Sequence, residues 1–341
     1  MKAIKFFAIS AMAAAMITSC SSEDELSQSN YPSDNIIRVT AGVNNAKTRA
    51  EGQGTPLEKP LSLTVVNKNE NATLAKKYTY VNKVFTKDDN GAWNCSETLL
   101  WQKDTQPVDI VAFAPAPNGK FNGVYAEGST QPIQSITYSV ADDQSTPSDN
   151  NDLLYYYAKD FKPGEGLKDK KLSIQFNHAF CMIDINVTLG TEFNKPEVLK
   201  ESPIVKVTLG GTKISANVDV TKAASVVTAS EEAAATDITT TKGSFTPAEN
   251  ADKKADPEKN AISRFSCIAI PQTVAANTFK VSLMTADKLY EWTSAEPVVL
   301  QSGYRYTLKL SMGNDVVLLK GGSISATPWT EITSDKPLET D

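Results

Sequence analysis

Apolar residues fall at every second position along much of this chain, and a period of two places them on one face of an extended strand. Leu61, Leu63 and Val65 alternate in this way. So do Ile214, Ala216, Val218 and Val220; Phe279, Val281 and Leu283; and Tyr304, Tyr306, Leu308 and Leu310. Val108 to Ala114 is apolar almost throughout and reads as a fully buried strand, closed by Pro115 and Pro117. Leu153 to Ala158 is a further apolar and aromatic strand. Tyr78 to Phe85 and Trp93 to Trp101 flank Lys87-Asp88-Asp89-Asn90-Gly91, a turn signal ending in Asn-Gly. Many short strands punctuated by Gly, Pro and Asn predict an all-β chain built from sandwiches.

The phase of the alternation changes once in an informative place. Leu172, Ile174 and Phe176 share one face, whereas Ile183, Ile185, Val187 and Leu189 share a face of opposite parity. A one-residue slip turns every side chain over, so a break or bulge must lie between Asn177 and Met182. Cys181 is in phase with Ile183 and reads as a buried core thiol. Ala141 to Asn151 is polar and loop-like. Ala223 to Thr240, rich in Ala and Thr, fits either a short helix or a mobile insertion, and Ala248 to Asn260 is charged and reads as a loop. The 341 residues suffice for two units with their own cores. Pro163, Gly164, Gly166 and four lysines cluster at Lys162 to Lys171 and mark the expected boundary.

The N-terminus has the order of a secretory signal. Lys2 and Lys5 precede an apolar run from Phe6 to Ile17, too short to cross a bilayer as a helix. Ile17-Thr18-Ser19-Cys20 then looks like a lipobox, with cleavage before Cys20 and a diacylglycerol on its thiol. Each buried acyl CH₂ is worth about 0.8 kcal/mol, so two or more chains anchor firmly in a membrane. Residues 1–19 are thus expected to be a signal peptide, and the acidic Ser21-Ser22-Glu23-Asp24-Glu25 follows the anchor.

Charge and composition narrow the chemistry. The net charge is −6, and −8 once Lys2 and Lys5 leave with the signal, which disfavours contact with nucleic-acid phosphates. Beyond Cys20, only Cys95, Cys181 and Cys267 remain, an odd number without disulfide or metal-ligand spacing. The single histidine, His178, sits at the expected strand break and reads as a packed or hydrogen-bonded core residue rather than a catalytic one. No P-loop, dinucleotide fingerprint, nucleophile elbow or EF-hand loop is present, so neither an enzyme nor a cofactor is expected. Trp93, Trp101, Trp292 and Trp329 could stack sugars, but sandwich cores use tryptophan in the same way, and core positions are expected.

Several landmarks recur in order along the chain: the lipobox at Cys20; Lys47-Thr48-Arg49-Ala50; Leu99-Leu100-Trp101 followed by Val108-Asp109-Ile110-Val111-Ala112-Phe113-Ala114-Pro115; Asp152-Leu153-Leu154; Leu172-Ser173-Ile174-Gln175-Phe176-Asn177-His178-Ala179-Phe180; Gly303-Tyr304-Arg305-Tyr306; and a closing Ile324 and Trp329. Together they resemble the fimbrillin family, pilus subunits of Bacteroidales. The acidic run after Cys20 likewise resembles the surface-export signal of Bacteroidales lipoproteins. The resemblance implies two tandem transthyretin-like β-sandwich domains, export to the outer membrane on a lipid anchor, cleavage after an arginine by a trypsin-like protease, and polymerisation by strand exchange between copies. Carried onto this chain, it implies a lipidated pro-segment at 20–49, an N-terminal domain at 50–166 and a C-terminal domain at 167–341.

Particular residues then take expected roles. Ile36, Ile37, Val39 and Val43 form a strand-like stretch just before Arg49, which cleavage would free from the first sandwich. The groove left behind would be a template for another chain. Val316-Val317-Leu318-Leu319, continuing through Ile324, is the expected donor. A head-to-tail contact of this kind does not close on itself and gives filaments. Only four arginines occur among 34 basic residues; Arg38, Arg264 and Arg305 lie in predicted strands, leaving Arg49 in the polar stretch Asn44 to Pro60 as the accessible target. A shaft, tip or anchor subunit of a pilus and a surface glycan-binding adhesin all remain open at this point.

Overall fold

The structure, a computed structural model, describes residues 30–44, 55–116, 135–148, 151–193, 201–219, 226–248, 260–313, 316–319 and 324–329. Cys20, Arg49 and Ala50 lie outside these residues, and with them the expected signal peptide, lipid anchor and cleavage site; so does most of the expected loop from Ala248 to Asn260.

The period-two segments become strands, and the fold is all-β as expected. In chain order the first strands are β1 (Val39–Val43), β2 (Thr55–Pro56), β3 (Leu61–Asn67), β4 (Tyr80–Lys87), β5 (Trp93–Cys95), β6 (Val108–Ala114), β7 (Ser135–Ser139), β8 (Leu154–Phe161) and β9 (Leu172–His178). They are followed by β10 (Cys181–Leu189), β11 (Ile204–Gly210), β12 (Ser215–Asp219), β13 (Val226–Ala229), β14 (Ile238–Thr239), β15 (Thr241–Thr246), β16 (Ile262–Ala269), β17 (Gln272–Val274), β18 (Lys280–Thr285), β19 (Leu289–Thr293), β20 (Val298–Leu300), β21 (Tyr304–Met312), β22 (Val317–Leu319) and β23 (Ser325–Pro328).

Eight strands form one sheet in the order β2-β1-β9-β8-β6-β3-β4-β5. Its inward residues, among them Leu61, Leu63, Val65, Ile110, Leu172, Ile174 and Phe176, build a first core. The chain leading into β1 is tied to the stretch that follows β5. Ile36 bridges Leu100, the Ile37 N–H donates to the Leu99 carbonyl at 2.8 Å, and the Trp101 N–H donates to the Asn35 carbonyl at 2.8 Å.

A second core draws on two further sheets, β15-β16-β10-β21 and β14-β11-β18-β19, with Ile183, Ile185, Val187, Val207, Leu209, Val281 and Leu283 all fully buried. β22 and β23 both pair with β21, on the side away from β10. The chain passes between cores at His178–Cys181: even-numbered residues of β9 are buried in the first core and odd-numbered residues of β10 in the second. This is the expected change of phase. β9 therefore serves the first core although it falls within 167–341. Conversely β7, within 50–166, pairs with β12, and Ile136, Tyr138 and Val140 join the second core.

The Pro-Gly-Lys cluster is a local turn before β9. Pro163–Gly166 makes one helical turn, and Lys168 bridges Lys171. Ala72–Lys77 is a short helix, started by Asn71, whose side chain accepts from the Thr73 and Leu74 N–H groups. Two local expectations differ from the fold. Of Trp93 to Trp101 only Trp93–Cys95 is a strand. The described part of Ala223 to Thr240 holds strands β13 and β14, which pair with β12 and β11, and no helix.

Candidate functional site

β1 is short, and it is hydrogen-bonded on both flanks. Val39 to Val43 runs parallel to β9 with Val39 opposite Leu172 and Val43 opposite Phe176, while Gly42 and Val43 pair antiparallel with Pro56 and Thr55. Ile37, Val39 and Val43 are buried in the first core, and Ile36 is half-buried at the Leu100 bridge. Burying one such side chain is worth about 1.5–3 kcal/mol, so this segment supplies several kcal/mol of the first core. Its ends are tied as well. Before the strand, the Arg38 guanidinium bonds Asp34, which also accepts from the Ile36 N–H, and together these hold the Asp34 carboxyl down at about 2. After it, the Asn44 N–H donates to the Phe176 carbonyl at 2.7 Å and the Asn44 side chain donates to Asn177 Oδ1 at 2.8 Å.

The C-terminal segment lies on its own sheet. Val317, Leu318 and Leu319 pair with Met312, Ser311 and Leu310; Ser325 to Pro328 pairs with Thr307 to Tyr304. Of the expected donor residues, Val317 points into the second core and Leu319 and Ile324 pack against it, while Val316 and Leu318 are 51% and 59% exposed. All four residues of β23 are exposed. Between this segment and the 292–301 stretch lies a cleft of about 690 Å³ with Trp292, Val298, Tyr306, Leu319, Ile324 and Ala326 in its walls.

The C-terminal segment meets the end of β9, one residue beyond the Asn177 that Asn44 bonds. His178, the last residue of β9, is buried, and its Nδ1 lies 3.1 Å from both oxygens of Asp152. A carboxylate only accepts, so Nδ1 carries the proton. Lys59 reaches Asp152 at 3.9 Å. Over the imidazole lies Trp329, stacked with ring centroids 3.7 Å apart and planes 10° from parallel. Aromatic pairs add about 0.5–1.5 kcal/mol beyond their burial. The Trp329 N–H donates to the Gly303 carbonyl at 2.7 Å, and the Gly303 N–H donates to Phe180 at 2.8 Å. Gly303 adopts a φ of 71°, a conformation that costs other residues about 1 kcal/mol, which explains its place before Tyr304.

His178 is thus the packed, hydrogen-bonded residue that its position suggested, covered by an indole rather than open to a substrate. The tryptophans also follow expectation: Trp101 and Trp329 are buried, and Trp93 and Trp292 pack partly buried against the first and second cores. Cys181 and Cys267 are buried free thiols, and Cys95 is half-buried. Among the described residues no group of three His, Cys, Asp or Glu is placed to hold a metal ion. The pairing of Asp152 with His178, 26 positions apart, has no signal in spacing, and neither has the Asn44–Asn177 bond across 133 positions.

Comparison with known proteins agrees with this architecture. No curated protein matches the sequence. A proposed cell-adhesion protein from Bacteroides ovatus superposes with a TM-score of 0.58 at 17% identity, covering 88% of this chain and 99% of its own. Another from Bacteroides uniformis gives 0.55 at 16% identity, covering 88% and 100%. The tip fimbrial protein Mfa3 of Porphyromonas gingivalis, C-terminally truncated, gives 0.50 at 9% identity, covering 86% and 98%. At these identities the likeness is one of fold. The model of the fimbrillin-like family matches residues 48–329, most of the chain from the expected cleavage site to the stacked tryptophan. The chain belongs to the fimbrillin-like family.

Proposed function

We propose that this protein is a structural subunit of a cell-surface pilus, exported as a lipoprotein through Cys20, cut between Arg49 and Ala50 by an Arg-specific protease, and polymerised by strand exchange. In this reading β1 leaves with the pro-segment. A C-terminal segment from another copy, carrying Val316 to Leu319 and Ile324, takes its place beside β9. The cut also separates the subunit from the outer-membrane anchor.

The observation that carries the reading is the position of β1. It lies within the first sheet, next to the expected cleavage site, with Ile37, Val39 and Val43 in the core. Its departure would open an apolar groove and a row of unpaired backbone groups on β9 at once, a template for strand addition. The other three arginines lie within or beside strands: Arg38 leads into β1, Arg264 is in β16, and Arg305 in β21 is bonded to Asp184. In this reading the first unit runs through His178 and the second starts at Ala179, with β7 and the Val111, Phe113, Leu153 and Tyr155 side chains serving the second core.

One observation favours a second reading as a tip subunit, which accepts a strand and donates none: the C-terminal segment pairs with its own β21. A single experiment treats both. Cells expressing the protein should yield SDS-resistant ladders that vanish in Arg49→Ala and in a truncation after Met312. Ladders that persist in both variants contradict strand exchange. Ladders that vanish in Arg49→Ala alone identify a subunit that accepts without donating.

A further inference from the structure

The C-terminal segment is held on its own sheet by few side chains. β23 is exposed throughout, and Val317 and Trp329 are the segment's buried residues among those described. Trp329 is the larger, and it anchors the far end. Its seat is the His178 ring, at the end of β9, fixed from the side by Asp152.

β9 is in turn held unevenly. Over Leu172 to Phe176 its ladder partner is β1; β8 pairs with it only at His178 and Asn177, opposite Leu154 and Tyr155. The last residue described before the cleavage site, Asn44, bonds Asn177, the neighbour of His178. Loss of β1 therefore removes the ladder along five residues of β9 and one side-chain bond adjacent to the histidine. What remains of the pairing sits directly beside the ring on which Trp329 rests. Coupling between distant sites needs such a contiguous set of packed and bonded groups, with an element that has two arrangements.

We infer that Trp329 and His178 form a clasp that keeps the donor segment at home until β1 leaves, so that one cut both opens the acceptor groove and frees the donor. The inference rests on the strand-exchange reading above and adds an order of events to it. An uncut precursor would present neither a groove nor a free donor, and so would stay monomeric on its way out of the cell.

Hydrogen exchange read by mass spectrometry tests the clasp on the full chain, unlipidated through Cys20→Ser and diluted below the concentration at which it assembles. In the uncut protein, Trp329→Ala should speed exchange at 325–328 tenfold or more and leave 172–176 unchanged, and Trp329→Phe should retain protection. In the wild type, cutting after Arg49 should speed exchange at both 172–176 and 325–328. If 172–176 opens and 325–328 does not, the clasp is overturned while strand exchange stands. If 172–176 stays protected after the cut, β1 has not left, and both ideas fall together.

Discussion

Cys181 and Cys267 sit on neighbouring antiparallel strands in the second core, and burial pushes both thiols up, Cys267 to about 12. The thiolate is the reactive form, so both should resist alkylation in the folded protein. At pH 8, iodoacetamide should modify half-buried Cys95 first and the other two only after unfolding; rapid native labelling of Cys181 would contradict its burial. The same shift makes stability depend on pH. Below about pH 9 the thiols are protonated in both folded and unfolded chains and contribute nothing. Above it the unfolded chain loses protons that the folded chain keeps, so stability falls by about 1.4 kcal/mol per pH unit per thiol until the folded thiols titrate. Urea midpoints of wild type and a Cys181→Ala, Cys267→Ala double variant between pH 9 and 11 should converge as pH rises. At this scale the sequence was readable where a residue shares the phase of a strand, as Cys181 does with Ile183. It was silent where two residues meet across the fold, as Asp152 and His178 do, because no local period records a contact of that range.

Among the elements, β1 and β22 matter most, and each yields a prediction. Ile37→Ala removes buried methylenes from the first core and should cost about 2–4 kcal/mol in the uncut protein, measured by chemical denaturation. Because the loss falls on the segment that must depart with β1, the same variant should assemble faster once cut, and slower assembly would contradict the proposed role of β1. Val317→Asp places a carboxylate where a valine is buried, and an unpaired buried charge is too costly to keep. β22 should then detach, raising exchange at 317–319, and SDS-resistant ladders should be lost. Strands were legible because alternation survives in β3, β9, β10, β18 and β21. The helix Ala72–Lys77 was not: it buries no residue, so no apolar face marks it, and only the Asn71 cap betrays it. Trp93 to Trp101 suggested a strand longer than exists, because Leu99 and Trp101 are buried from a loop that the lead-in to β1 closes.

In the whole molecule, two cores share one chain whose segments cross between them. The change of parity between Phe176 and Ile183 marks the crossing, and it was present in the sequence. The Pro-Gly-Lys cluster before it suggested an earlier boundary, since composition reports an exposed turn without saying whether the next strand returns to the same sheet. β9 does return, and this puts β1, β9 and the His178–Trp329 stack in one line. The detour of β7 into the second core could not be read, because Ile136, Tyr138 and Val140 alternate as well for one core as for the other. The arrangement turns the proposed function into a question of which chain lies beside β9 in the assembled state. Electron cryo-microscopy of polymers formed after the cut at Arg49 answers it by tracing the strand next to Leu172–Phe176. The account predicts that this strand is the C-terminal segment of a neighbouring copy; a map with Val39–Val43 of the same copy still in that position would contradict it.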